Sequence, residues 1–309
     1  MADLTVIILA YNEAKHIARS IKSAQQFARQ IIVVDSFSVD GTDAIARDLG
    51  AEVVQNKFIN YAKQFQWALD NCEVRHDWVM RLDADETIEQ DLAQRINESL
   101  HTLPLSVTGV SFHRKHIFMG RWIRYGGRYP LTLLRVWRRG MATIEDRWMD
   151  EHMVLSSGTS VVFEGGFCDN NLNDLTFFTD KHNKYATREA IDVILSKRGI
   201  EFQQVVTQGG SPRQAVLKRY LKDRVFNRLP FYLGPLFYFL YRFIIQRGFL
   251  DGKEGVVYHF LQGFWYRFLV GAKIFELESQ LDPKDGDVEY LAKLSRLTGH
   301  DLSKVGVAK

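Results

Sequence analysis

The sequence predicts an α/β fold, a mostly parallel sheet wound with helices, followed by a helical C-terminal region. Three observations carry that reading. Leu4 to Ala10 and Gln30 to Val34 are near-continuous apolar runs of strand length, as expected of parallel strands covered on both faces. Each is followed by a polar break and then a segment of helical period. Beyond about residue 200 the texture turns aromatic and basic and is interrupted by Pro230, Gly234 and Pro235. The expected division is an α/β domain over residues 1–200 and a helical region over 201–309.

Taken in order, the first run breaks at Tyr11-Asn12-Glu13, and a helix is expected through about Phe27. The pattern then repeats. The Gln30 strand ends at Asp35, a polar loop runs from Ser36 to Thr42 through Gly41, and a helix follows from Asp43 to Leu49. Ala51 to Gln55, Tyr61 to Asn71 and Trp78 to Leu82 read as strand, helix and strand, and Thr108 to Lys115 as a later strand. A doubly wound sheet binds its ligands beyond the carboxyl ends of its strands. Glu13, Asp35 and Asp83 all fall at such ends.

The fourth strand carries the sharpest signal. In Val79 to Glu86, Asp83 and Asp85 flank one small residue, and alternate strand side chains share a face, so both carboxylates are expected to meet one ligand. Such a pair suits a hard divalent cation that keeps much of its water and binds a diphosphate. Glu13 and Asp35 can then hydrogen-bond a base and a ribose. Both also suit helix N-termini, where an acid meets unsatisfied amides and the dipole.

Composition narrows the function classes. The chain has 309 residues, 46% of them hydrophobic, which allows one core and an appendage. A net charge of +3 gives no global nucleic-acid signature, and no RNA-binding motif accompanies the local arginines. Cys72 and Cys168 have neither metal-site spacing nor a framework role, which points to a reducing compartment. Met1 to Asp3 lack a basic leader, so export is not expected. No strand-turn-helix surrounds Ser156, Ser157 or Ser211 to expose a nucleophile, and His113 and His116 have no zinc pattern.

Three segments together resemble a known family. Val6-Ile7-Ile8-Leu9-Ala10-Tyr11-Asn12-Glu13, Ile32 to Thr42 and Leu82-Asp83-Ala84-Asp85-Glu86 are similar, in order and spacing, to the signature of family 2 glycosyltransferases. The resemblance implies a GT-A fold, a nucleoside diphosphate sugar donor, usually a UDP-sugar, and a divalent cation, Mn or Mg. It implies that Ala10, Tyr11, Glu13, Asp35 and Asp83 hold the nucleotide and that Asp85, with Asp83, holds the metal. Phe58 to Leu69 departs from the subgroup pattern of a Gln, a basic residue and an Asn, reading Lys63-Gln64-Phe65-Gln66 instead. Lys63 and Gln64 are assigned to the donor there.

The middle of the chain is expected to serve the acceptor. Arg121, Arg124, Arg128, Arg135, Arg138 and Arg139 interleave with Trp122, Tyr125, Tyr129 and Trp137, and aromatic faces with guanidinium groups suit a sugar or phosphosugar. Arg128, Arg135 and His152 are the acceptor-binding candidates. An inverting transfer needs a general base for the acceptor hydroxyl, and Asp150-Glu151-His152 offers two carboxylates. The lipopolysaccharide-core branch of the family has a similar segment followed by a Lys-x-x-x-Tyr-Ala helix. Here Lys181 to Ala186 matches that helix, which makes Glu151 the base and Asp150 its competitor.

Between Arg213 and Lys253 the chain carries nine Lys or Arg against two Asp. The apolar stretch Leu229 to Ile245 is broken by Arg242 and the prolines, so helices lying on an anionic membrane surface fit better than a transmembrane span. An oligomer interface is the other reading of the same aromatics. Arg247 to Gly252 is similar to a Gly-Phe-Leu-Asp-Gly stretch of membrane-associated glycosyltransferases that build cell-surface glycans. The resulting expectation is an inverting, UDP-sugar-dependent hexosyltransferase acting on a lipid-linked glycan, peripheral to the cytoplasmic face of a bacterial inner membrane. Its rivals are transfer to a polyprenyl phosphate and a non-catalytic nucleotide-binding scaffold.

Overall fold

A computed structural model of the chain describes residues 1–145, 152–200 and 230–302. The chain divides into two compact units, Met1–Leu172 and Asn173–Lys309. In the first, β1 (Leu4–Ala10) lies between β2 (Gln30–Asp35) and β4 (Trp78–Asp83), parallel to both, and β3 (Glu52–Gln55) extends β2 in the same sense. The sheet continues through β8 (Thr132–Arg138), which is antiparallel to its neighbours β4 and β6 (Val107–Phe118). β11 (Thr159–Asn170) pairs parallel with β6 and antiparallel with β5 (Glu86–Ile88), while β7 (Arg121–Ile123) pairs with β6. Two short strands, β9 (Ala142–Ile144) and β10 (Met153–Leu155), form a separate ribbon.

The apolar runs are continuous because both faces are covered. Val6 and Ile8 of β1 pack with Ile17 and Ile21 of α1 (Ile17–Ala24) and Ile96 of α4 (Gln90–Ser99). Ile7, turned to the other face, packs with Phe65 and Ala68 of α3 (Tyr61–Asn71). Gly41, at φ +89°, starts α2 (Thr42–Asp48) with a left-handed residue that a side chain would strain. One expectation is corrected. β4 ends at Asp83, and Ala84-Asp85 form the turn into β5, so Asp83 and Asp85 are not alternate residues of one strand.

The second unit is helical. α5 (Leu175–Lys197) contains the Lys181 to Ala186 segment. α6 (Leu233–Leu240) runs into a π-helical turn, Tyr241–Ile245. α7 (Gly252–Tyr258), a π-helical segment His259–Trp265 and α8 (Tyr266–Glu278) follow one another, then α9 (Asp287–Thr298). Tyr266 donates to Glu189 of α5 at 2.5 Å, and Arg198 donates to Asp287 of α9 at 2.8 Å. Among the described residues no helix is long and apolar enough to cross a membrane.

Candidate active site

The loops after β1 and β2 are laced into one rim. The Asn12 amide donates to Ser38 Oγ at 2.8 Å, Asn12 Oδ1 accepts from the Val39 amide at 3.0 Å, and the Glu13 amide donates to Thr42 Oγ1 at 2.8 Å. Asp40 closes the rim, accepting from the Ala14 amide at 3.0 Å and the Thr42 amide at 3.1 Å. Burial pushes the Asp40 carboxyl up, but these hydrogen bonds, led by the Thr42 hydroxyl, hold it below its ordinary range. Asp35, fully buried, accepts from Ser38 and, at 3.3 Å, from Gln55 Nε2. Tyr11 stands 60% exposed beside Ala10, whose carbonyl accepts from the Ser36 amide.

Gln64 and Lys63 separate in role. Gln64 is buried and fully engaged, donating to Ser36 Oγ and the Asn56 carbonyl and accepting from Asn56 Nδ2. It braces the rim from beneath, joining Ser36 to Asn56. Lys63 is exposed on the first turn of α3, which Asn60 caps.

Asp83 is held from three sides. Its Oδ1 accepts from the Tyr61 phenol and from Arg81 Nε, and its Oδ2 lies 3.6 Å from Arg135. Burial would raise its pKa, but the Arg81 and Arg135 guanidinium groups hold it well below the usual carboxylate range. Arg135 is itself buried, donating to Glu86 Oε1 at 2.5 Å, and Glu86 Oε2 accepts from the Asp83 amide at 2.9 Å. Burial, with the nearby Asp83 and Asp169 carboxylates, pushes Glu86 up to about 8 against the pull of Arg135. Arg135 is therefore engaged within the sheet. The same holds for two further arginines of the basic cluster: Arg138 donates to the Val107 and Leu103 carbonyls and Arg139 to the Val74 carbonyl.

Asp85 has different surroundings. Asn171 Nδ2 donates to its Oδ2 at 3.0 Å, and the Asn170 amide donates to its carbonyl at 3.1 Å. Arg19, within the field of Asp85, donates to the Asn170 carbonyl at 2.8 Å. The next residue, Leu172, donates its amide to His16 Nε2 at 2.9 Å, which makes Nε2 the acceptor and leaves the ring proton on Nδ1. That nitrogen donates to Glu13 Oε2 at 2.6 Å. The end of β11 thus touches both acids, Asp85 directly and Glu13 through a fully buried histidine. Sequence reasoning missed Asn170, Asn171 and His16.

In the segment expected to serve the acceptor, Trp122 meets Tyr129 edge-on at 5.0 Å, with Lys115 and Arg124 cations 5.4 Å and 5.2 Å from its ring. Arg128 is half-buried near the end of this segment, and His152 is exposed. Asp150 and Glu151 lie outside the described residues. Of the two carboxylates expected to hold a divalent cation, Asp83 is engaged by cationic groups and Asp85 by Asn171. Among the described residues no three His, Cys, Asp or Glu side chains gather into a protein cage. One carboxylate fits Mg or Mn, which completes its shell with phosphate oxygens and water.

The family model for glycosyl transferase family 2 matches residues 5–166, the span that holds Glu13, Asp35, Asp83, Asp85 and Glu86. The chain belongs to glycosyl transferase family 2. An uncharacterized glycosyltransferase of Rickettsia felis is 38% identical over 96 residues, 31% of this chain and 33% of that protein. One from Rickettsia typhi is 28% identical over 282 residues, 90% of this chain and 88% of that one. The match thus spans about a third of the length of the first curated relatives. A mannosyltransferase of Pyrobaculum calidifontis, solved with GDP-Man and Mn2+, is similar at 15% identity and a TM-score of 0.43, over 97% of this chain and 81% of that one. The glucosyl-3-phosphoglycerate synthase of Mycobacterium tuberculosis, solved with UDP, Mn2+ and glucosyl-3-phosphoglycerate, is similar at 17% identity and a TM-score of 0.41, over 65% and 81%.

Proposed function

We propose that this family 2 chain is an inverting glycosyltransferase that moves a hexose from a UDP-sugar to a hydroxyl of a lipid-linked glycan, a lipopolysaccharide core or surface polysaccharide precursor. Its place of action would be the cytoplasmic face of a bacterial inner membrane. The observation that carries the reading is the single rim at the carboxyl ends of β1, β2 and β4, where Glu13, Asp35 and Asp85 are each held by neighbouring side chains. Glu13 and Asp35 take the nucleoside, with exposed Tyr11 against the base and Lys63 near the diphosphate. A divalent cation at Asp85 would neutralise charge on the departing diphosphate.

In the transfer Glu151 accepts the proton of the acceptor hydroxyl while the oxygen bonds to the anomeric carbon. The bond from that carbon to the diphosphate oxygen breaks on the opposite side, and UDP leaves. Arg128 and His152 are the acceptor contacts. The test is consumption of a panel of UDP-sugars with Mn or Mg and a membrane extract as acceptor. Asp85→Ala and Glu151→Gln are expected to lower kcat/KM by at least about 10²-fold with the fold intact. Retained transfer in both Glu151→Gln and Asp150→Asn would assign a phosphate acceptor, which needs no base. No UDP-sugar bound or consumed would overturn the donor.

A further inference from the structure

The helix from Leu233 to Ile245 is apolar on both of its sides. Leu236 and Phe237, Leu240 and Tyr241, Ile244 and Ile245 recur in pairs four residues apart, and all six are exposed, Ile245 at 69%. Between them Pro235 and Arg242 are buried. Phe239 meets Phe260 and Phe264 at 6.1 Å and 6.4 Å, Phe243 meets His259 at 6.3 Å, and Arg242 donates to Gln262. One face is thus buried in the unit's own core, while the other presents a continuous apolar stripe, followed by exposed Phe249. Isolated surface apolar residues are ordinary, but a contiguous stripe marks an interaction site. Eight residues of α-helix continued by five of π-helix reach about 20 Å, short of the roughly 30 Å hydrocarbon core of a bilayer. Such a helix suits the interface plane.

Charge selects the surface. Arg247 and Lys253 follow the stripe and are exposed, whereas the intervening acid, Asp251, is buried against His259 at 3.1 Å. We propose that Leu236 to Phe249 are a lipid-docking face that seats in the headgroup region of an anionic bilayer, the apolar stripe inward and Arg247 and Lys253 on lipid phosphates. This deepens the reading of a lipid-linked acceptor and rests on it only for its purpose, because docking can be read without sugar transfer.

The experiment is co-sedimentation of the full chain with vesicles of phosphatidylglycerol and phosphatidylethanolamine, and with vesicles of phosphatidylcholine alone. Wild type is expected to pellet with the anionic vesicles. Phe237→Gln combined with Ile245→Gln lowers the partition coefficient at least about tenfold on both kinds of vesicle. Arg247→Gln combined with Lys253→Gln lowers it by about tenfold or more on the anionic vesicles alone, and added salt does the same to wild type. Both variants keep the circular dichroism spectrum and the UDP affinity of wild type, since the replaced side chains are exposed. Wild type left in the supernatant overturns the proposal, as does a dimer that the Phe237 and Ile245 pair dissociates, which would give the face to a second copy. If docking holds and no UDP-sugar is consumed, the UDP-sugar donor falls and the docking face stands.

Discussion

Two corners of the same sheet handle charge in opposite ways. Beyond β1 and β2, carboxylates and hydroxyls are joined by hydrogen bonds to backbone amides. At the corner of β4, β5 and β8, two guanidinium groups meet the Asp83 and Glu86 carboxyls, with Arg135 and Glu86 buried and Arg81 and Asp83 half-buried. The loop rim tolerates loss of any one bond because water can replace it, and each is worth on the order of 1 kcal/mol. The corner has no such reserve. Removing a carboxylate there leaves the buried Arg135 guanidinium with fewer partners, and removing Arg135 leaves buried Glu86 without its donor.

Arg135→Met therefore has the largest effect expected in the molecule, a loss of about 3–5 kcal/mol in urea unfolding. Adding Glu86→Gln to it should change little further, because Glu86, pushed up to about 8, already holds its proton near neutral pH. Ser38→Ala in the loop rim should cost only about 1 kcal/mol. If Arg135→Met instead keeps full stability and raises the acceptor KM, the contrast between the corners is false and the arginine belongs to substrate.

The pH dependence of stability sharpens the same contrast by about 2 kcal/mol. Asp83 is held below its ordinary value of 3.8, so its stabilisation is whole above that pH and is lost as pH falls and the unfolded chain takes up the proton first. Glu86 is raised from 4.5 to about 8, so the folded chain keeps its proton longer, and that contribution is whole below 4.5 and lost as pH rises toward 8. Melting curves across this range should show Asp83→Asn flattening the acid limb and Glu86→Gln flattening the alkaline one. Unchanged limbs in both variants would place the titrating groups elsewhere.

The difference between the corners also explains what could be read beforehand. The parallel strands were legible because covering both faces demands unbroken apolar runs, and Leu4 to Ala10 and Gln30 to Asp35 form strands with those bounds or within one residue of them. Glu13 and Asp35 were legible as acids at or just past strand ends, where Asp35 accepts from the Ser38 amide and Glu13 from the His16 ring. Arg135 was not legible: an arginine in a half-buried strand looks the same whether its head reaches water or turns toward Glu86, which is 49 residues away in the chain. The turn at Ala84 was missed because an apolar run followed by Asp-x-Asp has the same pattern with or without a break. Asn171 meets Asp85 across 86 residues, a separation at which local periodicity carries no signal.

That last contact gives the smallest effect and the finest test. Asn171→Ala removes one hydrogen bond from Asp85, with a stability loss of about 1 kcal/mol. Because the amide orients a carboxylate that would meet the cation, the concentration of Mn for half-maximal transfer should rise about tenfold while kcat at saturating Mn stays close to wild type. His16→Gln, which keeps one donor and one acceptor in the place of the ring, should act on the other acid, raising the KM for the UDP-sugar with little change in the Mn requirement. The two variants thus separate what the end of β11 joins. Were both to move the same parameter, the segment would serve as one structural clamp, and the division of labour between Glu13 and Asp85 would have no support.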